Sequence, residues 1–385
     1  MSKQYLHFII LLSVWMTVSC TQQVVKVEVS NNLSVKRTNE LVTIQREDLE
    51  AHLNCDEPLL VTQESTGDKL QFQTIDLNGD ELWESLLILV SLHSRSTETL
   101  HITNSIDHPI GDTPKVFGRF VPERKDDFAW ENDRIAYRMY GPALEATGEI
   151  SSGVDVWVKS VEYPIIDKWY ADGKYHKDHG EGADLYKVGP TLGCGGLGLL
   201  YNDSLHTSQN FTDYRILAQG PLRIVFELDY AEWGPAEHRL TETKRISLDV
   251  GQHLNRVESH IKWINPALDR PLMVAGLLAH PQDSSVPVSL NSSDNYMIVY
   301  EGIKGDNGAL GTALICDEDA RNISIKEYGD QYLMPLVTTS TDEVAYWTGA
   351  AWSKSPWVNS EASWTDIVQS HIKRTLEPLQ VKILN

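Results

Sequence analysis

Basic residues are under-represented in this sequence. Its 385 residues contain 33 lysines and arginines against 54 aspartates and glutamates, so the formal net charge is −21. Nucleic acids and anionic lipid surfaces bind proteins through basic patches, and this balance therefore argues against both as partners. An anionic ligand would need positive charge gathered in one cleft, because the average surface would repel it.

Long apolar runs are absent too. The run at residues 8–18 is too short to cross a bilayer, and residues 1–20 as a whole have the pattern of a secretory signal peptide. Their ending, VSC, resembles the lipobox of bacterial lipoproteins, which implies cleavage before Cys20 and lipid attachment to its thiol. Thr17 stands where that family prefers leucine, so secretion to the periplasm without an anchor is the alternative. Both interpretations predict a protein of the cell envelope, in the periplasm or at the outer membrane, that meets a membrane only through a lipid anchor.

Cysteine is scarce as well. Beyond Cys20 the chain has Cys55, Cys194 and Cys316, and this odd number permits one disulfide at most in an oxidising compartment. Cys194 lies in the sequence GCGG, which favours a small buried residue in a tight turn over a catalytic nucleophile.

Helix-period patterns are rare, and strand patterns take their place. Residues 21–115 contain short alternating or apolar runs separated by turn signals, which predicts a small N-terminal β-sandwich lobe. Residues 116–385 contain further strand patterns, and the first helical pattern that rivals them appears near residues 365–372. The sequence therefore predicts an all-β fold with two lobes, joined through a polar, proline-marked connection at residues 107–122.

The glycine-rich segment at residues 169–196 concentrates groups that can move protons or grip a polar ligand. Glycine permits positive φ and close backbone approach, so this segment is predicted to be an irregular loop. Ordered loops on a rigid scaffold often carry function, whereas the alternative is a mobile surface loop with solvated charges. The aromatic residues of the segment argue against disorder. Its candidate site residues are Trp169, Tyr175, His176, His179, Glu181, Asp184 and Tyr186.

Two strand patterns precede this loop and offer further candidates. Period-two alternation at residues 134–140 places Arg134 and Arg138 on one face of a strand. At residues 154–159 the three valines share one face, and the opposite face carries Asp155, Trp157 and Lys159. Charged and aromatic residues on one face of a sheet suit a carbohydrate cleft, although a solvated sheet exterior explains each strand equally well.

Cofactor sites leave few signals. The sequence has no glycine-rich nucleotide motif between a strand and a helix, so no cofactor is predicted. His176 and His179 have an HxxH spacing that Glu181 and Asp184 could complete as a divalent metal site, but this spacing discriminates poorly in a loop. His280 ends an apolar strand pattern, where a hydrogen-bonded structural role is favoured.

Five segments carry a family resemblance: residues 131–146, 153–170, 175–196, 238–263 and 345–356. Together they resemble a bacterial family long catalogued as a domain of unknown function, which occurs in gene clusters for polysaccharide use. A characterised member is an oligosaccharide dehydratase that acts on fragments of ulvan, the sulfated rhamnose–uronate polymer of green algae. The resemblance implies a galactose-mutarotase-like supersandwich for the larger lobe. It also implies removal of water from a glucuronate or iduronate residue at the non-reducing end.

The chemistry of such an elimination suggests roles for the candidates. Removing water across C4 and C5 of a uronate requires a base, an acid and neutralisation of the carboxylate. His176 and His179 suit the proton transfers, with Tyr175 as an alternative base. The other predicted roles are carboxylate binding by Arg134 and Arg138 with Lys159 secondary, sugar stacking by Trp157 and Trp169, and histidine orientation or hydroxyl binding by Glu181 and Asp184.

Two other function classes fit the same residues. A polysaccharide lyase abstracts the same proton but expels a sugar instead of water, and the sequence does not separate the two. A non-catalytic glycan-binding lipoprotein would need the tryptophans and arginines but no pair of proton-transfer groups. The histidine pair within the glycine-rich segment favours the enzyme, with an anionic, uronate-containing oligosaccharide as its partner.

Overall fold

The structure is a computed structural model that describes residues 23–105, 114–265, 270–280, 287–293, 295–316, 324–337 and 342–384. The predicted signal peptide and Cys20 lie outside these residues. The described part of the chain contains four α-helices: α1 (Arg46–Glu50), α2 (Pro142–Glu145), α3 (Ile166–Asp172) and α4 (Glu361–Leu376). None of them is long and apolar enough to span a membrane.

Strands make up most of the remaining ordered backbone, and the all-β prediction is confirmed. In chain order the strands of the described residues are β1 (Val24–Asn31), β2 (Arg37–Gln45), β3 (Leu59–Gln63), β4 (Phe72–Ile75), β5 (Ser85–Leu92), β6 (Ser96–Asn104), β7 (Phe117–Val121), β8 (Asp127–Glu131), β9 (Ile135–Met139), β10 (Asp155–Lys159), β11 (Gly182–Asp184), β12 (Cys194–Tyr201), β13 (Ser204–Thr207), β14 (Asp213–Gln219), β15 (Arg223–Trp233), β16 (Leu240–Asp249), β17 (Leu254–Trp263), β18 (Leu272–Leu278), β19 (Ser289–Ser293), β20 (Tyr296–Gly302), β21 (Ala309–Cys316), β22 (Lys326–Tyr328), β23 (Gln331–Pro335), β24 (Glu343–Trp352) and β25 (Gln380–Leu384).

The N-terminal lobe is a small sandwich of two antiparallel sheets, ordered β25-β1-β6-β3 and β2-β5-β4. Alternating side chains of both sheets, such as Val27 and Ile88, fill a core of their own. The outer strand β25 comes from the far end of the chain, where Ile383 pairs with Val27. The predicted boundary, which gave residues 116–385 to the larger lobe, is therefore corrected: Leu379 and Ile383 pack in the N-terminal core.

The larger lobe consists of an eight-stranded sheet (β14-β15-β16-β17-β24-β21-β20-β19) and two five-stranded sheets (β11-β10-β9-β8-β7 and β13-β12-β18-β23-β22). Tyr137 of β9 joins two of these sheets, because its hydroxyl donates to the His253 carbonyl at 2.7 Å and accepts from the Ala350 N–H at 3.1 Å. Cys194 is buried in the core between the sheets, and no two cysteines of the described residues form a disulfide bond.

The sheet β7–β11 carries the residues singled out by the alternation of the sequence. Val154, Val156 and Val158 lie in the core of the larger lobe, as predicted. The opposite face is not an open cleft, because α3 lies across it. The chain brings Ile166 and Trp169 of this helix onto the sheet, where they form a second apolar cluster. Burying these side chains encloses the face that was expected to be open.

Candidate functional site

Arg138 lies at the centre of a buried ionic cluster at the end of β9. Antiparallel pairing sets it opposite Asp155 of β10, and its Nη2 donates to Asp155 Oδ2 at 2.6 Å and to Asp184 Oδ2 at 3.2 Å. Asp127 of β8 completes the cluster, with Oδ2 3.9 Å from Arg138 Nε. The guanidinium is also 5.2 Å from the ring centroids of Tyr140 and Trp157. Three carboxylates thus surround one cation, and we call these four residues, Asp127, Arg138, Asp155 and Asp184, the arginine cluster.

Burial raises the pKa values of two acids of this cluster. It raises the pKa of Asp127 to about 7, although the nearby Arg138 guanidinium opposes the shift. Burial likewise raises the pKa of Asp155 to about 7 against the same opposing charge. Carboxyl groups that are buried away from water become harder to ionise. The single positive charge of Arg138 offsets this effect only in part, because three carboxylates share it. Asp127 and Asp155 therefore keep their protons to higher pH than a solvent-exposed aspartate does.

His176 connects the arginine cluster to solvent. Its Nδ1 lies 3.3 Å from Asp184 Oδ2, the same oxygen that accepts from Arg138, while 67% of its side chain is exposed. The hydrogen bond with Asp184 raises the pKa of His176, and partial burial opposes the rise. A carboxylate that accepts from Nδ1–H leaves Nε2 as the free nitrogen of the ring. This geometry suits a histidine that exchanges a proton with a ligand in solvent.

Tyr175 forms the cover of the cluster beside His176. Its ring stacks on Trp157 at a centroid distance of 4.8 Å and lies 4.5 Å from the His176 ring. Its backbone carbonyl accepts from the Asp184 N–H at 2.7 Å, which fixes the loop to β11. The pKa of Arg124 is raised. Burial works to lower it, and a side-chain hydrogen bond to Tyr175 works to raise it. Because a guanidinium can only donate, the Tyr175 oxygen accepts this bond and keeps its own hydrogen for another partner.

A groove of about 220 Å³ adjoins these residues on the outer side of the loop. Its lining contains Lys168, Lys174, Lys177 and His179 against the two acids Asp172 and Glu181, and it includes Tyr175 and Trp169. Lys174 and Lys177 form no ion pair with any described residue. Positive charge is thus gathered at one place on a strongly acidic chain, which is the condition that an anionic ligand requires.

Glu181 holds this loop in place. It accepts hydrogen bonds from the Tyr163 hydroxyl and the Lys168 ammonium, and its Oε2 accepts from Trp169 Nε1 at 3.2 Å. Partial burial works to raise the pKa of Glu181, but the bonds from Lys168 and Tyr163 outweigh it and lower the pKa. The contacts of Glu181 are those of a residue that ties α3 to the loop.

The structure separates the remaining sequence candidates from the exposed groove. Lys159 is completely buried, and its Nζ donates to Glu131 Oε2 at 2.6 Å and to two backbone carbonyls. A ligand has no access to it, because its donors are used inside the protein. Arg134 lies over the Trp357 ring and pairs with Glu162, at the opposite end of β9 from Arg138.

The predicted sugar-stacking aromatics are also enclosed. Trp157 has no exposed surface, and Trp169 stacks on it with a centroid distance of 5.7 Å. Tyr186 is buried in the core of the larger lobe, with its ring edge-on to His280. Trp157 and Tyr186 do not line the groove, and Trp169, although it does, is only 6% exposed. His280 itself bonds to Glu301 at 2.7 Å and to the Lys187 carbonyl at 3.0 Å, the hydrogen-bonded arrangement favoured by its sequence.

The two histidines of the HxxH spacing face different surroundings. His176 turns to Asp184, whereas His179 lines the lysine groove. Throughout the residues that the structure describes, no group of three or more His, Cys, Asp or Glu side chains is placed to hold a metal ion.

Two site residues were missed by the sequence patterns. Arg124 follows β7 in a short 3-10 helix, and Asp127 begins β8 eleven residues before Arg138. Both lie in the run ERKDD, which resembles an ordinary solvated turn. The available signal was the period-two relation between Asp127 and the face of β8 that neighbours Arg138, since Ala129 pairs with Arg138 in the sheet.

Comparisons with known proteins support one part of the resemblance seen in the sequence, membership of a family of unknown function. A family described as a domain of unknown function, DUF4861, matches residues 29–381. A protein of Formosa agariphila, named only as uncharacterized protein P7, is 32% identical over 379 residues, and the match covers 93% of each chain. Among solved structures, a protein of glycosyl hydrolase family 38 from Enterococcus faecalis matches with a TM-score of 0.52 at 8% identity over 94% of this chain. This chain spans about half of that structure, at 47% of its length, and the likeness shows the fold alone.

Proposed function

Since this chain belongs to the DUF4861 family, whose description assigns no activity, we propose a function from its own site: an oligosaccharide dehydratase acting on a terminal uronic acid. The observation that carries the proposal is an exposed imidazole, His176, held against the Asp184 carboxylate beside a lysine-lined groove. The fold, shared with a glycosyl hydrolase family 38 protein, is compatible with a saccharide ligand.

His176 is the proposed base. Its Nδ1 keeps a hydrogen for the Asp184 oxygen at 3.3 Å, so the exposed Nε2 carries the lone pair that takes a proton from carbon. Asp184 then stabilises the imidazolium that forms, without itself leaving its contact with Arg138.

Tyr175 is the proposed acid. Its ring lies beside that of His176, and its oxygen accepts from Arg124, so its hydroxyl hydrogen is free to pass to a leaving group. The groove that Tyr175 lines would hold the uronate, with Lys174 and Lys177 neutralising its carboxylate.

The electrons and atoms of the step balance. His176 takes the C5 proton, the electrons of the C5–H bond form the C4–C5 double bond, and the C4–O bond breaks. The departing hydroxyl receives the Tyr175 proton and leaves as water. His176 is then protonated and Tyr175 deprotonated, and proton exchange with solvent returns both residues to their starting states.

The proposal is tested by incubating the protein with oligosaccharides that end in a saturated uronate. Product should absorb in the ultraviolet, because the new double bond is conjugated with the carboxylate, and its mass should fall by one water with chain length unchanged. A shortened chain that carries the double bond would make the protein a lyase. Saturated fragments would mean hydrolysis, and binding without any product would leave a glycan-binding lipoprotein.

A further inference from the structure

Arg138 has no open edge for a ligand. Only 4% of its side chain is exposed, its Nη2 is shared by two aspartates, and the rings of Tyr140 and Trp157 lie against the guanidinium. Its Nε and Nη1 are buried and have no hydrogen-bond partner among the described residues. A guanidinium in this position acts on the site through the residues it holds.

Arg138 and His176 contact the same atom, Asp184 Oδ2, and this shared contact links the charge of Arg138 to the protonation of His176. Asp184 Oδ2 lies 3.2 Å from Arg138 Nη2 and 3.3 Å from His176 Nδ1, so one oxygen serves two cationic groups. The more of the arginine charge Asp184 receives, the less negative potential it presents to the imidazole. The strength of the Arg138–Asp184 contact therefore bears on the proton of His176.

Asp155 competes for the same arginine nitrogen. Its Oδ2 lies 2.6 Å from Nη2, closer than that of Asp184, and its other oxygen is buried without a partner among the described residues. Asp155 makes no contact with His176 and has no exposed surface. The contacts that link Asp155 to the imidazole run through Arg138 and Asp184.

We propose that Asp155 is a positioning residue for His176. Both Asp155 and Asp184 accept from Arg138, so Asp155 offsets part of the arginine charge, and the Asp184 carboxylate keeps enough negative charge to hold the imidazole. This role rests on the proposed function only in that His176 is the group that moves the proton. Burial raises the pKa of Asp155 to about 7, so a change in its ionisation would adjust the same balance near neutral pH. The titratable and charged groups that face the cluster from the elements packed on it are Arg124, Asp127, Arg138, Tyr140, Glu149, Tyr170, Tyr175, His176, Asp184, Tyr186, Cys194 and His280.

The experiment is a proton NMR titration of the His176 ring in the full chain, compared with Asp155→Asn. Asparagine keeps the size and an acceptor oxygen but removes the charge, so Arg138 turns its charge to Asp184 and His176 should lose its proton at a pH lower by roughly half a unit or more. The acid limb of kcat/KM should move in the same direction. Asp167→Asn is the matched control, because Asp167 is exposed and pairs with Arg119.

An unchanged His176 titration in folded Asp155→Asn would overturn the inference. If that variant does not fold, the wild-type curve decides instead: two inflections at His176 support coupling to the buried aspartates, and one simple inflection refutes it. The titration needs no substrate, so its outcome is separate from the proposed function, which fails on its own if His176→Ala keeps full turnover.

Discussion

His176 and Asp184 join an exposed ring to an enclosed carboxylate across 3.3 Å. One partner can reach a ligand in solvent, and the other is fixed by the sheet through its contact with Arg138. His176 is therefore placed to exchange a proton with a ligand, while Asp184 supplies a fixed negative charge beside it.

The first prediction concerns the base. His176→Ala should lower kcat by about 10²-fold or more, the usual contribution of a general base, with the melting temperature nearly unchanged because the ring is mostly exposed. His179→Ala is the matched control: its ring lines the groove, and no carboxylate in the described part of the chain forms an ion pair with it, so KM should rise more than kcat falls. Steady-state kinetics on both variants decides, and equal losses of kcat would assign proton transfer to both histidines.

The second prediction concerns Arg138. Arg138→Ala should lower the free energy of unfolding by about 3–5 kcal/mol, because three buried carboxylates would lose their counter-charge. Arg138→Lys should keep most of that stability but lose activity, since the shorter side chain cannot place its ammonium where Nη2 now donates to both aspartates. Urea unfolding and kinetics separate the two effects. Arg134→Lys, at the other end of β9, should change neither, and a stable, active Arg138→Ala would show that the aspartates need no cation.

The third prediction is a pH dependence of stability. The folded-state pKa of Asp127 is raised to about 7, so the folded protein binds more protons than the unfolded chain and stability falls as pH rises from about 4 to 7. Asp127→Asn should reduce this fall by roughly 1 kcal/mol per pH unit between pH 5 and 7. Urea unfolding at several pH values tests it, and parallel curves for the two proteins would mean that Asp127 ionises normally.

The fourth prediction concerns the groove. Replacing Lys174 and Lys177 together with glutamine should raise KM for a uronate-ended oligosaccharide about fivefold, leave kcat intact and weaken the salt dependence of kcat/KM. Lys36→Gln, on the N-terminal lobe, is the control. Loss of kcat without a change in KM would place the carboxylate elsewhere.

The fifth prediction concerns the cell. Replacing Cys20 with serine should release the protein from membranes, because the thiol that would carry the lipid is gone. Cell fractionation measures the change, and a wild-type protein found in the soluble fraction would exclude the anchor.

The sequence predicted which side chains share a face of each strand, but not which other elements pack against that face. Alternation assigned Val156 to the core and Asp155 to the opposite side, because side-chain direction in a strand is a local property. It could not show that α3 would close over Trp157, nor that Asp127 and Asp184, on different strands, would converge on Arg138. The prediction that the polar face of β10 is open was therefore wrong, because exposure depends on elements distant in sequence. Lys159, which was expected on that open face, is completely buried.

The pairing of β25 with β1 has a consequence for how the protein is made. A ribosome makes β1 long before β25, so the N-terminal sandwich keeps an unpaired edge on β1 until residues 380–384 have been synthesised. Completion of the first lobe must wait until residues 380–384 have left the ribosome. A nascent chain that stops before residue 380 therefore exposes β1 as an unpaired sheet edge, which can pair with other chains and aggregate.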